Sequence, residues 1–113
     1  MPRPTGDPEN VRYNFAVAMT ALAFVLGLEV GPCEECGVAP YTTRTPANPR
    51  GKQCVYAHHD SYRRPLDIRW LCARCHRNWH VANGQAEGRR EPITAEERRF
   101  WRAELRRRYT VAA

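Results

Sequence analysis

Apolar residues first fall into a helical rhythm near the start of the chain. Val11, Phe15, Ala18, Leu22 and Val25 recur at spacings of four and three, which puts them on one stripe of an α-helix. Ala16, Ala21, Ala23 and Phe24 widen that stripe, so the helix is expected to be covered on more than one side. Asp7 followed by Pro8 has the form of an N-cap with proline at N1. Gly27 and the Gly31-Pro32 pair mark the far end. Residues 38–44 then read as a strand, 45–51 (TPANPRG) as a turn-rich loop, and 53–58 (QCVYAH) as β-prone, which together predict a hairpin through 38–58. A polar loop over 60–65 precedes the apolar anchors Leu66, Ile68, Trp70 and Leu71. From Cys72 the pattern is helical again, through His76, Trp79 and His80 to about Val81. Thr94-Ala-Glu-Glu97 is a capping box, and the helix it opens carries Trp101, Leu105 and Tyr109 on one side. The expected organisation is a loose Pro-rich arm over 1–7, an N-terminal apolar helix over 8–30, a core over 31–82, a linker over 83–93 and a C-terminal basic helix over 94–113.

A chain of 113 residues suits one domain with arms, and a core this small is marginal without added support. A structural metal would supply that support, because its binding free energy counts as folding free energy. The net charge is +6, and 17 of the 18 basic residues are Arg. The guanidinium fork matches phosphate, which points to a nucleic-acid partner; GC-rich coding DNA raises the Arg count by itself. Residues 15–28 form a 14-residue run without charge, shorter than a confident membrane span. Asp7 and Glu9 stand where a secretory signal carries only positive charge, and no small-x-small site precedes Cys33. The run is therefore expected to be a core helix, in a cytoplasmic protein that does not enter a membrane.

Two features carry chemistry. Cys33-x-x-Cys36 and Cys72-x-x-Cys75 supply four thiolates in two pairs, the donor set of a tetrahedral structural Zn²⁺. Gly37 can take a positive φ that turns backbone N–H groups toward the sulfurs. Metal ligation by cysteine implies a reducing compartment, and the fifth cysteine, Cys54, reads as a buried small hydrophobe. The second feature is histidine. All four histidines fall in one stretch, as His58-His59 and His76-x3-His80. Residues 76 and 80 share a helical face and can reach one metal, while Cys75, about 100° round the helix, faces another way. Adjacent strand residues point to opposite faces, so His58 and His59 can share a site only where the strand ends or bulges. The competing reading makes His58 and His59 packing residues and leaves His80 on the surface. On the C-terminal helix, Arg98, Arg99, Arg102, Arg106, Arg107 and Arg108 suit phosphate, or form a solvated face balanced by Glu96, Glu97 and Glu104.

The string AHHDSYRRPLDIRWLCARCHRNWH, preceded by a C-x-x-C, resembles the small four-cysteine HNH proteins common in bacteriophage and bacterial genomes, over about residues 31–81. The resemblance implies a treble-clef or ββα-metal core, a structural Zn²⁺ on the four cysteines, and metal-dependent nicking or cleavage of DNA. By position it implies that His58, His76 and His80 are ligands of a second divalent ion (Mg²⁺, Mn²⁺, Ni²⁺ or Zn²⁺) and that His59 is the general base. The central Asn of the family falls on Asp67 here, which could accept a hydrogen bond from His59. Arg63, Arg64 or Arg69 would neutralise transition-state charge, and Arg98, Arg102, Arg106 and Arg107 would bind the DNA backbone. The alternatives are a non-catalytic DNA-binding zinc module, and a phage structural or regulatory accessory protein that meets phage or host proteins through the apolar helix.

Overall fold

The computed structural model describes residues 11–109; the arm and the expected start at Asp7 and Pro8 lie outside them. In chain order the elements are α1 (Val11–Val25), β1 (Val55–His58), β2 (Arg69–Cys72), α2 (Ala73–Asn83) and α3 (Ala95–Tyr109). This is an α+β arrangement in which N- and C-terminal helices flank, in sequence, an antiparallel pair of strands and a Cys/His-rich helix. The described chain divides into two compact units. One holds residues 11–28, 59–67 and 86–109; the other holds 29–58 and 68–85.

In the first unit α1 and α3 pack together with the 59–67 loop. Phe15, Met19, Ala23, Leu66 and Leu105 are buried there, with Leu28, Ile93, Trp101 and Tyr109 packed against them. The buried face of α1 is Arg12, Phe15, Ala16, Met19 and Ala23, which corrects the expected stripe. Of that stripe only Phe15 is buried; Leu22 is 47% exposed and Val25 82%. Apolar residues encircle α1, so spacing alone could not choose between two neighbouring stripes. Arg12 decides it, because its guanidinium reaches Glu97 at 2.7 Å and Glu91 at 3.3 Å and commits that side of the helix to the interior. At the far end the Leu28 N–H bonds to the Ala23 carbonyl at 2.9 Å and Gly27 takes φ 116°, the Schellman closure that glycine permits. The capping box forms as read: the Glu97 N–H donates to Thr94 Oγ1 at 3.0 Å and the Thr94 N–H to the Glu97 carboxylate at 3.3 Å.

In the second unit β1 pairs with β2, from Val55 opposite Cys72 to His58 opposite Arg69. The expected hairpin through 38–58 is thus corrected. Residues 38–54 form no ladder but two isolated bridges, Tyr41 with Gln53 and Thr45 with Asn48, with the Thr42 N–H on the Lys52 carbonyl and the Cys54 N–H on the Pro40 carbonyl. Pro40, Pro46 and Pro49 lack the N–H a ladder needs, whereas Arg69–Cys72 is uninterrupted and points Leu71 into the core beside Val55 and Cys33. Leu66 and Leu71, similar as apolar anchors in sequence, serve two different cores. Cys54 is half-buried, its thiol donating to the Ala39 carbonyl at 3.0 Å.

Because Met19 is 1% exposed and Leu22 lines the open side, truncating the two should differ sharply. Met19→Ala is expected to cost about 3 kcal/mol and Leu22→Ala under about 1 kcal/mol. Urea denaturation of the two variants reads the difference, and equal losses would contradict the assigned buried face.

Candidate metal centres

The first centre is built by a knuckle and a helix start. The chain turns at residues 34–36, with the Gly37 N–H on the Cys33 carbonyl at 2.8 Å and φ 77° at Gly37. The Glu34 N–H bonds to the Trp70 carbonyl at 2.8 Å, tying the knuckle to β2. Gly31 lets that approach happen: a Cβ there would lie 2.9 Å from the Trp70 ring. Cys72, the last residue of β2, is also the N-cap of α2, its sulfur accepting from the Cys75 N–H at 3.5 Å. The sulfurs of Cys33, Cys36, Cys72 and Cys75 all lie within 4.8 Å of one another. Sulfurs about 2.3 Å from a tetrahedral zinc stand about 3.8 Å apart, and Cys36 Sγ to Cys72 Sγ is 3.7 Å. The donor set and its spacing fit one divalent ion.

The protons of these thiols are unevenly held. Burial raises Cys33, but the N–H groups of Cys36, Cys72 and Glu35 outweigh it and bring the thiol down to about 6. The Cys75 N–H lowers Cys72. Cys75 is pushed up to about 12, first by its contact with the Cys72 sulfur and then by burial. Cys33 therefore gives up its proton most readily and Cys75 least, and holding all four sulfurs as thiolates needs a cation in the group.

The second centre lies in the same unit. His58 ends β1, and His76 and His80 stand one turn apart on α2. Their ligand nitrogens lie within 4.8 Å of one another. His58 is 3% exposed and the other two are half-buried, so the cluster opens on one side. The Trp79 ring packs on His58 at 4.3 Å. His80 Nδ1 is 2.8 Å from the Gly84 carbonyl; a carbonyl only accepts, so Nδ1 carries the proton and Nε2 keeps its lone pair. His76 Nε2–H then donates to His80 Nε2 at 3.0 Å. Burial, and secondarily the neighbouring His80, lower the pKa of His76 and favour its neutral, ligating form. A carbonyl behind a ligand imidazole is the usual orienting partner at metal sites. Three imidazoles with an open side fit a zinc- or nickel-type ion better than Mg²⁺, which prefers oxygen.

His59, joined to His58 by a peptide bond, belongs to the other unit. Its Nε2–H donates to the Pro65 carbonyl at 2.8 Å, which leaves the lone pair on Nδ1. Burial lowers its pKa, against smaller upward pulls from the Pro65 carbonyl and the Asp67 charge. The hydrogen bond expected from His59 to Asp67 is not the one made. Asp67 instead accepts from Arg108 at 3.1 Å and stands 3.8 Å from Arg64. Arg63 pairs with Glu91 and Glu87, Arg69 with Glu35, and Arg107 with Glu104, so each of these arginines has a carboxylate beside it. Arg98, Arg102 and Arg106 have none among the described residues. Sequence reading missed Pro65 and Gly84, whose only signals were the Arg-Arg-Pro and Asn-Gly turn steps. Arg77 is exposed on α2, about 60° from His80 round the helix. No protein-family model, no curated protein and no solved structure matches the chain. No described helix is long and apolar enough to cross a membrane.

Two predictions follow from this geometry. The protein should carry two divalent ions per chain, falling to one in His76→Ala/His80→Ala, while Cys36→Ser/Cys72→Ser should lose the first ion and unfold the 29–58/68–85 unit. Metal analysis with circular dichroism reads both, and a fully folded chain stripped of metal would contradict the structural role. The second concerns pH. A histidine whose pKa is lowered by folding binds its proton more readily in the unfolded chain. The stability that neutral His59 contributes is therefore present above its ordinary value of 6.5 and is lost as pH falls through the lower folded value. His59→Gln should flatten the acid side of the stability profile, and an unchanged profile would show that His59 is not held neutral by burial.

Proposed function

We propose that the chain is a metal-dependent DNA endonuclease of the HNH type on a treble-clef or ββα-metal core. The observation that carries this reading is the convergence of His58, His76 and His80 on a strand–strand–helix unit whose helix also carries one of the clustered cysteines. The four cysteines would hold a structural Zn²⁺. His58, His76 and His80 would hold a second ion, which when bound supplies electrophilic stabilisation of phosphodiester charge. His59 is the general base: its Nε2 proton is held by Pro65, so Nδ1 takes a proton from water, and its lowered pKa keeps that lone pair available near neutral pH. Asp67 raises the basicity of His59 through its charge rather than through a hydrogen bond. Arg77, on the helix of His76 and His80, neutralises phosphate charge, and Arg106 and Arg99 on α3 add sequence-independent backbone contacts.

A second reading has its own observation. Asp67 is engaged by Arg108 and not by His59, which favours a DNA-binding zinc module that has lost cleavage. Plasmid nicking separates the two. The nuclease should nick supercoiled plasmid with Ni²⁺, Mn²⁺ or Zn²⁺ more readily than with Mg²⁺. His59→Ala should reduce nicking by about a hundredfold or more, with DNA and metal binding retained, and Arg77→Ala by roughly tenfold. DNA binding without nicking in any of these ions would sink the nuclease reading and leave the binding module.

A further inference from the structure

Helix α1 carries two apolar stripes, and the unit in which it lies uses only one. The unused stripe is Val11, Ala18, Leu22 and Val25, sharing Phe15 with the core at its edge. The spacing of four and three is that of a coiled-coil seam sustained over two heptads. Its exposure is large, 47% at Leu22 and 82% at Val25. The stripe does not face open solvent on both sides. Val11, Ala18 and Leu22 of the stripe, with Asn14, Phe15, Met19, Arg98 and Arg102, line an open groove of about 450 Å³ between α1 and α3; Val25 belongs to the stripe but not to the groove lining. Both arginines reach the groove without a carboxylate partner among the described residues, and Arg98 lies over the Phe15 ring at 5.7 Å.

We propose that this groove docks an amphipathic α-helix of a partner protein, one whose apolar seam is flanked by Asp or Glu. A helix laid along α1 buries Val11, Leu22 and Val25 in seam-to-seam packing. Its flanking carboxylates meet Arg98 and Arg102. Charge decides against a second copy of this chain as the occupant, because residues 11–25 contain no Asp or Glu. Self-pairing through α1 would bury the seam and leave the arginines unanswered. The apolar stripe likewise decides against nucleic acid, since a phosphate backbone has nothing to bury on Leu22 and Val25.

The test uses the full chain and two synthetic helical peptides with one Leu seam, flanked by Glu in one and by Lys in the other, followed by fluorescence anisotropy. The Glu peptide should bind about tenfold or more tighter than the Lys peptide. Leu22→Asp, at a groove-lining position that is 47% exposed, should remove that binding. Arg98→Glu/Arg102→Glu should invert the preference toward the Lys peptide, with the circular dichroism of each variant unchanged. Equal affinity for both peptides, or no binding of either, overturns the proposal. So does a concentration-dependent dimer that Leu22→Asp abolishes, or duplex DNA binding that Leu22→Asp weakens as much as it weakens peptide binding.

Discussion

Four sulfurs within 4.8 Å of one another cannot all be thiolates without a cation among them, and the 29–58/68–85 unit is organised by that constraint. Its fully buried apolar residues are few: Val55 and Leu71, with Cys33 itself making up the buried set. Such a core offsets little chain entropy alone, and a divalent ion held by the four sulfurs would add its binding free energy to folding. The constraint then propagates. Cys72 closes β2 and caps α2 in one residue, which fixes where the helix begins. Cys75 turns inward to the sulfurs, and His76, one residue and about 100° further on, is directed to the side where His58 ends β1. The register of Val55 opposite Cys72 sets the position of His58 along the sheet. The thiol cluster thus positions the histidine cluster through a helix start and a strand register.

The other unit is governed by the distribution of charge. Arg12 and Arg63 draw in Glu87, Glu91 and Glu97, and Arg108 and Arg107 draw in Asp67 and Glu104. Exposed pairs of this kind add little stability individually. Arg12, however, is almost wholly buried and would be costly to leave unpaired. These contacts hold the 59–67 loop to the segment after residue 86, aided by the Tyr62 N–H on the Glu87 carbonyl at 2.9 Å. They also sort the arginines. Arg12, Arg63, Arg107 and Arg108 take up these carboxylates, so Arg98, Arg102 and Arg106 of α3 remain without a counter-charge among the described residues.

Much of this was legible because it depends on local spacing. Two C-x-x-C pairs, an i, i+4 pair of histidines, a capping box and a terminal glycine each specify a geometry within one turn. What sequence could not supply was the choice between equivalents. On α1 two stripes were both apolar, and the one with the regular spacing proved to be the open one. The decision lay with Arg12, whose ion pairs are more than 75 residues away in the chain. The strand pairing failed for a similar reason. Residues 38–44 are the near neighbour of 53–58, yet Pro40 and the loop prolines Pro46 and Pro49 leave only the Tyr41–Gln53 bridge between them, and the ladder goes to Arg69–Cys72. The role expected of Asp67 rested on a family position, and the nearby Arg108 took its carboxylate.

His59 and His80 each have a backbone carbonyl beside the ring. His59 gives its Nε2 proton to the Pro65 carbonyl, and His80 gives its Nδ1 proton to the Gly84 carbonyl. The device is the same and the ring nitrogen is opposite. In His80 the lone pair is left on Nε2, the far tip of the ring, which is the atom that reaches across α2 to His76. In His59 it is left on Nδ1, close to its own backbone, in a ring that burial keeps neutral. Adjacent or helix-spaced histidines therefore do not share one chemistry by virtue of spacing. The backbone carbonyl behind each ring selects its tautomer, and the tautomer selects whether that ring offers its tip or its base. Those carbonyls sit at a Pro-containing turn and at a glycine with φ 74°, so in each unit loop conformation, rather than the histidine itself, selects the tautomer.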